Sequence, residues 1–194
     1  MQSARHPENA VARLNLPPIT PRITRGADGV TRIFDPLRRR PVALTPEEWV
    51  RQHFAAYLTG PLAYPRELTA NEVSLRLNGT LRRCDTVVFS REGLRPLVIV
   101  EYKAPSIPVT QRVFDQIARY NLVHRAPCLM VSNGLTHYCC LLNTSPDPST
   151  DPSPNPYSAP NPDPAASVAT RPPYRFLPAL PTYPQLLSLL HPDR

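Results

Sequence analysis

Val98-Ile99-Val100-Glu101-Tyr102-Lys103-Ala104-Pro105 begins as a β-branched, fully apolar run and ends in a carboxylate, a spacer and an ammonium. The apolar run has the composition of a buried central strand. Side chains alternate along a strand, so Glu101 and Lys103 point to the same face. A buried strand finishes with two charges on one face when something needs them there; the plain alternative is a Glu101–Lys103 pair at a strand end. Composition favours a use. The chain carries 22 Lys+Arg, of which Lys103 is the single lysine. Arginine serves wherever else a positive charge stands, and it cannot replace a compact point charge on a thin stem. The position of Lys103 is therefore read as one that needs an ammonium.

Upstream, residues 81–89 read as a strand in which Leu81, Arg83, Asp85, Val87 and Phe89 share a face, so Asp85 is a carboxylate on a largely apolar side. Arg91-Glu92-Gly93-Leu94-Arg95 turns the chain into the strand that ends at Glu101. A hairpin symmetric about Gly93 sets Asp85 opposite Glu101, with Cβ atoms about 5 Å apart. Two carboxylates at that distance repel and call for a shared proton or a cation. Removing one charge by Asp85→Asn is accordingly expected to leave the metal-free protein as stable or more so. Before this strand, residues 72–77 alternate, and Asn78-Gly79 is a strong two-residue hairpin signal.

Downstream, Thr110 caps an expected helix over 110–124 with a stripe of Val113, Phe114, Ile117 and Tyr120; Gln116 and Tyr120, four apart, share that side. Residues 127–131 and 135–142 read as strands around an Asn133-Gly134 turn. The strand–helix–strand order predicts a parallel, right-handed crossover. Nearer the N-terminus, Thr45-Pro46-Glu47-Glu48 is a helix start. That helix runs to about residue 58, with Trp49, Val50, His53, Phe54, Tyr57 and Leu58 on its buried stripe. Glu48 is either a capping-box partner or a carboxylate looking into a site; His53 reads as a satisfied core residue. Residues 19–35 read as a hairpin about Gly26-Ala27-Asp28-Gly29. Arg38-Arg39-Arg40, which follows, is a solvated loop or a phosphate-contacting patch.

The division expected is a basic arm and hairpin (1–40), a core (41–142), a Pro-rich disordered linker (143–171) and a tail that docks back (172–194). The last 52 residues hold 14 of the 27 prolines. The net charge of +7 is concentrated before residue 143, which is compatible with a polyanionic partner. Cys84, Cys128, Cys139 and Cys140 form no CxxC pair and read as buried free thiols of a reducing compartment. No apolar run approaches membrane-spanning length and the N-terminus has no apolar targeting core, so a cytoplasmic protein is expected.

An α-β-β-β-α-β-β core with an acid on its second strand, E-x-K on its third and a Gln on the following helix resembles the PD-(D/E)xK nuclease superfamily. Within it, the chain looks like the N-terminal nuclease domain of type I restriction enzyme R subunits, as found in short stand-alone proteins. The segments that carry the resemblance are Leu44-Thr45-Pro46-Glu47-Glu48-Trp49-Val50-Arg51, Arg83-Cys84-Asp85, Val100-Glu101-Tyr102-Lys103-Ala104-Pro105, Gln116-Ile117-Ala118-Arg119-Tyr120 and Ser132-Asn133-Gly134. The fold implied is α/β with a mixed (α+β) sheet, restriction-endonuclease-like. The resemblance implies that Asp85 and Glu101 hold Mg²⁺, or Mn²⁺, with the Tyr102 carbonyl. Lys103 would orient the attacking water and steady the phosphate, Gln116 and Tyr120 would support the site, and Glu48 would supply a helix acid, with Glu47 as its alternative. Cys84 stands where many members have Pro. Arg38, Arg39, Arg40, Arg83 and Arg119 are candidate nucleic-acid contacts.

Phosphodiester hydrolysis needs a hard cation on oxygen ligands, an activated water and a cation near the developing charge. Two acids and a lysine are that minimum, so a metal-dependent DNA endonuclease is the first expectation. The second is a non-catalytic module that uses the same fold to bind nucleic acid or a partner. A homodimer and other restriction subunits are compatible partners, and a membrane is not expected. A phosphate-binding G-x-x-x-x-G-K-[ST] loop is missing, because the sole lysine is already placed, so no ATPase motor is expected in this sequence.

Overall fold

The computed structural model describes residues 12–77, 80–110, 126–142 and 174–192. The helix expected over 110–124, with Gln116, Arg119 and Tyr120, lies outside them apart from Thr110. So do the Asn78-Gly79 turn and the Pro-rich segment 143–171.

A small antiparallel sheet comes first, from β1 (Ile23–Arg25), β2 (Thr31–Asp35) and β3 (Arg40–Ala43). Helix α1 (Pro46–Thr59) follows. A six-stranded sheet then takes β4 (Thr69–Leu77), β5 (Thr80–Phe89), β6 (Pro96–Tyr102), β7 (Cys128–Ser132), β8 (His137–Leu142) and β9 (Tyr174–Phe176), in that spatial order. Helix α2 (Tyr183–Leu190) is the last described element. Strands β6 and β7 pair in parallel, and the other pairs of described strands are antiparallel. The result is a mixed-sheet α+β fold.

Thr45 caps α1 by accepting the Glu48 N–H at 3.0 Å, and Pro46 occupies the first turn, where its missing N–H costs nothing. Val50, Phe54 and Leu58 project from α1 at helical spacing and are fully buried. They meet Val98, Val100 and Tyr102 of β6, Met130 of β7 and Leu186 of α2 in one core cluster. A second cluster gathers Cys84, Val87, Ile99, Leu129, Val131 and Cys140. From Val98 onward, β6 alternates between the clusters, with Val98, Val100 and Tyr102 in the first and Ile99 in the second, which is why the run Val98-Ile99-Val100 is buried on both faces. His53 accounts for itself as a core residue: its Nδ1 lies 3.0 Å from the Trp49 carbonyl.

The register about Gly93 pairs Thr86 with Val100, Val87 with Ile99 and Val88 with Val98, then shifts at Val88/Phe89. The single face expected along β5 is not kept. Cys84 and Val87, three apart, both enter the second cluster, so alternation breaks between them. Opposite the break, Glu72 of β4 has φ 58, a left-handed residue that leaves Asn71–Thr86 and Val73–Cys84 paired on either side.

The N-terminal hairpin gains a third strand, β3, and Arg38-Arg39-Arg40 divides around the turn into it. Arg38 points inward, Arg39 takes a left-handed conformation (φ 53), and Arg40 opens β3. Chain 12–16 is tied across the β7–β8 turn by Asn15 N–H donating to the Gly134 carbonyl at 2.7 Å. Gly134 has φ +82, and a Cβ there would meet Leu14 Cδ2 at 2.7 Å, so both conformation and space require glycine.

Candidate active site

Strand β5 brings Asp85, and β6 brings Glu101, with Lys103 just past its end, to the edge where the sheet opens. The β5–β6 pairing ends at Thr86–Val100, and beyond it the Asp85 and Glu101 carboxyls are close enough for the Asp85 charge to act on Glu101. The Tyr102 N–H donates to Asp85 Oδ2 at 2.8 Å. The Lys103 N–H donates to the Ser132 carbonyl at 2.9 Å, which fixes the chain just past β6. Asn133 pins the following loop, donating from Nδ2 to the Ile107 carbonyl at 2.9 Å while its Oδ1 accepts from the N–H groups of Leu135 and Thr136. The Lys103 ammonium acts electrostatically on both Glu101 and Glu47.

Arg51 of α1 reaches Asp85, its side chain 5% exposed. Its Nη2 donates to Asp85 Oδ1 at 2.8 Å, and its Nη1 contacts Glu48 Oε2 and Glu72 Oε1, each at 2.6 Å. Glu47 Oε1 is 3.6 Å from Nη2. The contacts close into a ring. Arg38 Nη2 donates to Glu48 Oε1 at 2.5 Å, and Arg38 Nε donates to Asp35. Asn71 Nδ2 donates to Asp35 Oδ2 at 2.9 Å, Thr86 Oγ1 donates to Asn71 Oδ1 at 2.6 Å, and the Tyr102 hydroxyl donates to Thr86 Oγ1 at 3.0 Å. The ring thus starts at the Tyr102 hydroxyl and returns to the Tyr102 N–H through Asp85.

Six carboxylates (Asp35, Glu47, Glu48, Glu72, Asp85, Glu101) meet four cations (Arg38, Arg51, Arg83, Lys103), so the fully ionised cluster carries two negative charges in excess. The strain of that excess falls on Glu101. Burial and then the Asp85 charge push its carboxyl up to about 8, against the pull of Lys103. Glu47 is raised for the same two reasons. Burial would raise Asp35 as well, but hydrogen bonds from Asn71 and from Arg38 outweigh it and hold Asp35 below its usual range. Burial, Glu101 and Asp85 push the Cys84 thiol up to about 12, so it stays a thiol.

Of the residues singled out in the sequence, Asp85, Glu101, Tyr102, Lys103 and Glu48 come together here. The Glu48 carboxylate goes to Arg38, Arg51 and Gln52 and not back to the Thr45 N–H, so it looks into the cluster. Arg38 belongs to the ring, whereas Arg39 and Arg40 are exposed. Arg83 is 68% exposed and also pairs with Glu72. Gln116, Arg119 and Tyr120 lie outside the described residues. Arg51, Glu72 and Asp35 were not singled out. Arg51 had a signal: it falls on the Glu47–Phe54–Leu58 side of the helix, and an arginine in a buried stripe demands acids around it.

Among the described residues, no three His, Cys, Asp or Glu side chains are poised around one point to hold a metal ion. Two carboxylates with main-chain oxygen and water make a smaller set, of the kind that suits Mg²⁺. The arrangement as a whole is a mixed-sheet domain with an acid pair and a lysine at the open end of its central strands. A family model described as type I restriction enzyme R protein N terminus (HSDR_N) matches residues 46–150, more than half of the chain. The chain belongs to that family, which ties it to restriction systems. Searches of curated proteins and of solved structures each returned no match. No helix among the described residues is long and apolar enough to cross a membrane.

Proposed function

We propose that this chain is a Mg²⁺-dependent endodeoxyribonuclease of the PD-(D/E)xK kind, acting in a restriction system. The observation that carries this reading is the β5–β6 register, which ends at Thr86–Val100 and so leaves Asp85 and Glu101 next to each other, with the charges of Asp85 and Lys103 both acting on Glu101. A carboxyl raised to about 8 by burial and a neighbouring acid is an oxygen ligand short of a cation. The residues fit: Asp85, Glu101 and the Tyr102 carbonyl would hold the ion, which supplies Lewis-acid polarisation of the phosphate and a more acidic water.

The chain's own groups do the rest. Arg51 and the Tyr102 N–H orient Asp85 from two sides. Lys103 sets a positive charge where negative charge develops on the phosphate, and it directs the attacking water. Gln116 and Tyr120 are assigned a supporting role. The nucleic acid is met by the two-stranded ribbon of β4 and β5, which continues past the last β5–β6 pair and carries Arg76, Arg82 and Arg83 with no acid between residues 73 and 84. A ribbon of this width fits a DNA major groove.

The test is plasmid nicking with and without Mg²⁺. Wild type is expected to nick only with the ion, and Lys103→Ala to lose at least about a hundredfold in rate. Metal-independent nicking, or an unaffected Lys103→Ala, counts against this reading. One observation favours a second reading, a non-catalytic binding module: Asp85 is already satisfied by Arg51 and the Tyr102 N–H. Absence of both nicking and any Mg²⁺-dependent rise in melting temperature would select it.

A further inference from the structure

The acids around Asp85 are unevenly provided with cations. Glu101 enters no ion pair within 4.0 Å among the described residues. Glu47, Glu48 and Glu72 all pair with one guanidinium, that of Arg51. They come from two separate elements, α1 and β4, and Asp85 adds a third. The left-handed backbone of Glu72 falls where its carboxylate meets Arg51. Arg51 Nε is buried without a hydrogen-bond partner. The guanidinium is held in place by its anions, even with one donor unmet.

Two-metal phosphodiesterases set their ions about 3.5–4 Å apart, bridged by a shared carboxylate. In this chain a second ion beside Asp85 would need Glu47, Glu48 or Glu72 as its further ligands. Those are the carboxylates that Arg51 holds, and a guanidinium does not lose its proton. A divalent ion among those carboxylates would have to displace a buried cation or sit against it.

We propose that Arg51 fills the second cation position permanently, so that the chain takes one divalent ion, at Asp85 and Glu101. Arg51 is then a positioning residue for Asp85. This rests on the nuclease reading, and stoichiometry separates the two. The full-length chain is titrated with Mn²⁺ alone, without DNA, and bound ion is counted from the electron paramagnetic resonance signal of free Mn²⁺.

One tightly bound Mn²⁺ per chain, without Mn–Mn spin coupling, is the expected result, and Asp85→Asn should abolish it. Two coupled ions in the wild type would overturn the inference and leave the nuclease reading standing. No bound ion would remove the nuclease reading and the inference with it. Arg51→Gln opens the second position and is expected to bind two ions, whereas Arg51→Lys keeps a cation there and should bind one. A folded Arg51→Gln that binds a single ion with unchanged Kd overturns the proposal. If that variant fails to fold, the wild-type count and Arg51→Lys still decide it.

Discussion

Burial and Asp85 give the Glu101 carboxyl a folded-state value of about 8 against an ordinary 4.5. The folded protein therefore keeps a proton that the unfolded chain gives up between those values. Stability depends on the difference in bound protons, so this contribution is complete below about pH 4.5 and is lost as pH rises through 8. Thermal melts of the metal-free protein should show stability falling across that window. Glu101→Gln should flatten the fall and leave the protein more stable at pH 8 than wild type. Asp85 behaves otherwise. An opposed pair of acids alone makes Asp85→Asn neutral or stabilising, but Asp85 also balances the buried Arg51. Breaking a buried pair by removing one partner costs about 3–5 kcal/mol. Asp85→Asn is therefore expected to lower the melting temperature, and an unchanged one would show that Arg51 finds enough charge in Glu48 and Glu72. Lys103→Arg keeps the charge but lengthens and flattens its head group. It should preserve the Mg²⁺-induced rise in melting temperature while nicking falls sharply.

At the scale of elements, the C-terminal segment completes both the sheet and the core. Strand β9 pairs with β8 through Cys140–Phe176, Leu141–Arg175 and Leu142–Tyr174. Helix α2 begins with a full capping box at Thr182 and Gln185 and buries Tyr183 and Leu186. The Tyr183 N–H donates to the Leu62 carbonyl at 2.8 Å, and the Tyr64 hydroxyl donates to the Pro181 carbonyl at 3.1 Å. Leu177 packs against the same core cluster and its N–H donates to the Cys139 carbonyl at 2.8 Å, whereas Phe176 stays 41% exposed. Leu186 is fully buried, so Leu186→Ala removes core contacts and leaves a cavity, at a cost of about 2–5 kcal/mol. Urea denaturation should show it as a lower midpoint with little change in slope. A midpoint equal to wild type would mean that α2 adds nothing to the core.

For the whole molecule, binding to a polyanion should depend on the β4–β5 ribbon. Each phosphate neutralised by Lys or Arg adds about 0.9 to the slope of log affinity against log salt. Replacing Arg76, Arg82 and Arg83 together by Gln is expected to weaken DNA binding across sequences and to lower that slope by up to about three. The measurement is fluorescence anisotropy in Ca²⁺ over a salt series. An unchanged slope would move the contact surface elsewhere, with exposed Arg39 and Arg40 the next to test.

The sequence by itself determined what depends on neighbours along the chain. The turn about Gly93 set the β5–β6 register, because a tight hairpin leaves few ways to pair its strands. Alternation put the E-x-K charges at the end of a buried strand, and Thr45-Pro46 started α1 where capping chemistry requires. Only the tertiary structure decided how the charges are shared. Arg51 and Asp85 are 34 residues apart, and Asp35 and Asn71 are 36. Periodicity tells which face of an element is buried, but not which other element covers it. Arg38 reads as one of three surface arginines until the β2–β3 turn is laid against α1. Glu72 reads as an ordinary strand residue until its left-handed backbone brings it to Arg51. A buried charge is tolerable only beside its counter-charges, and those come from strands and helices that meet only after the chain has folded.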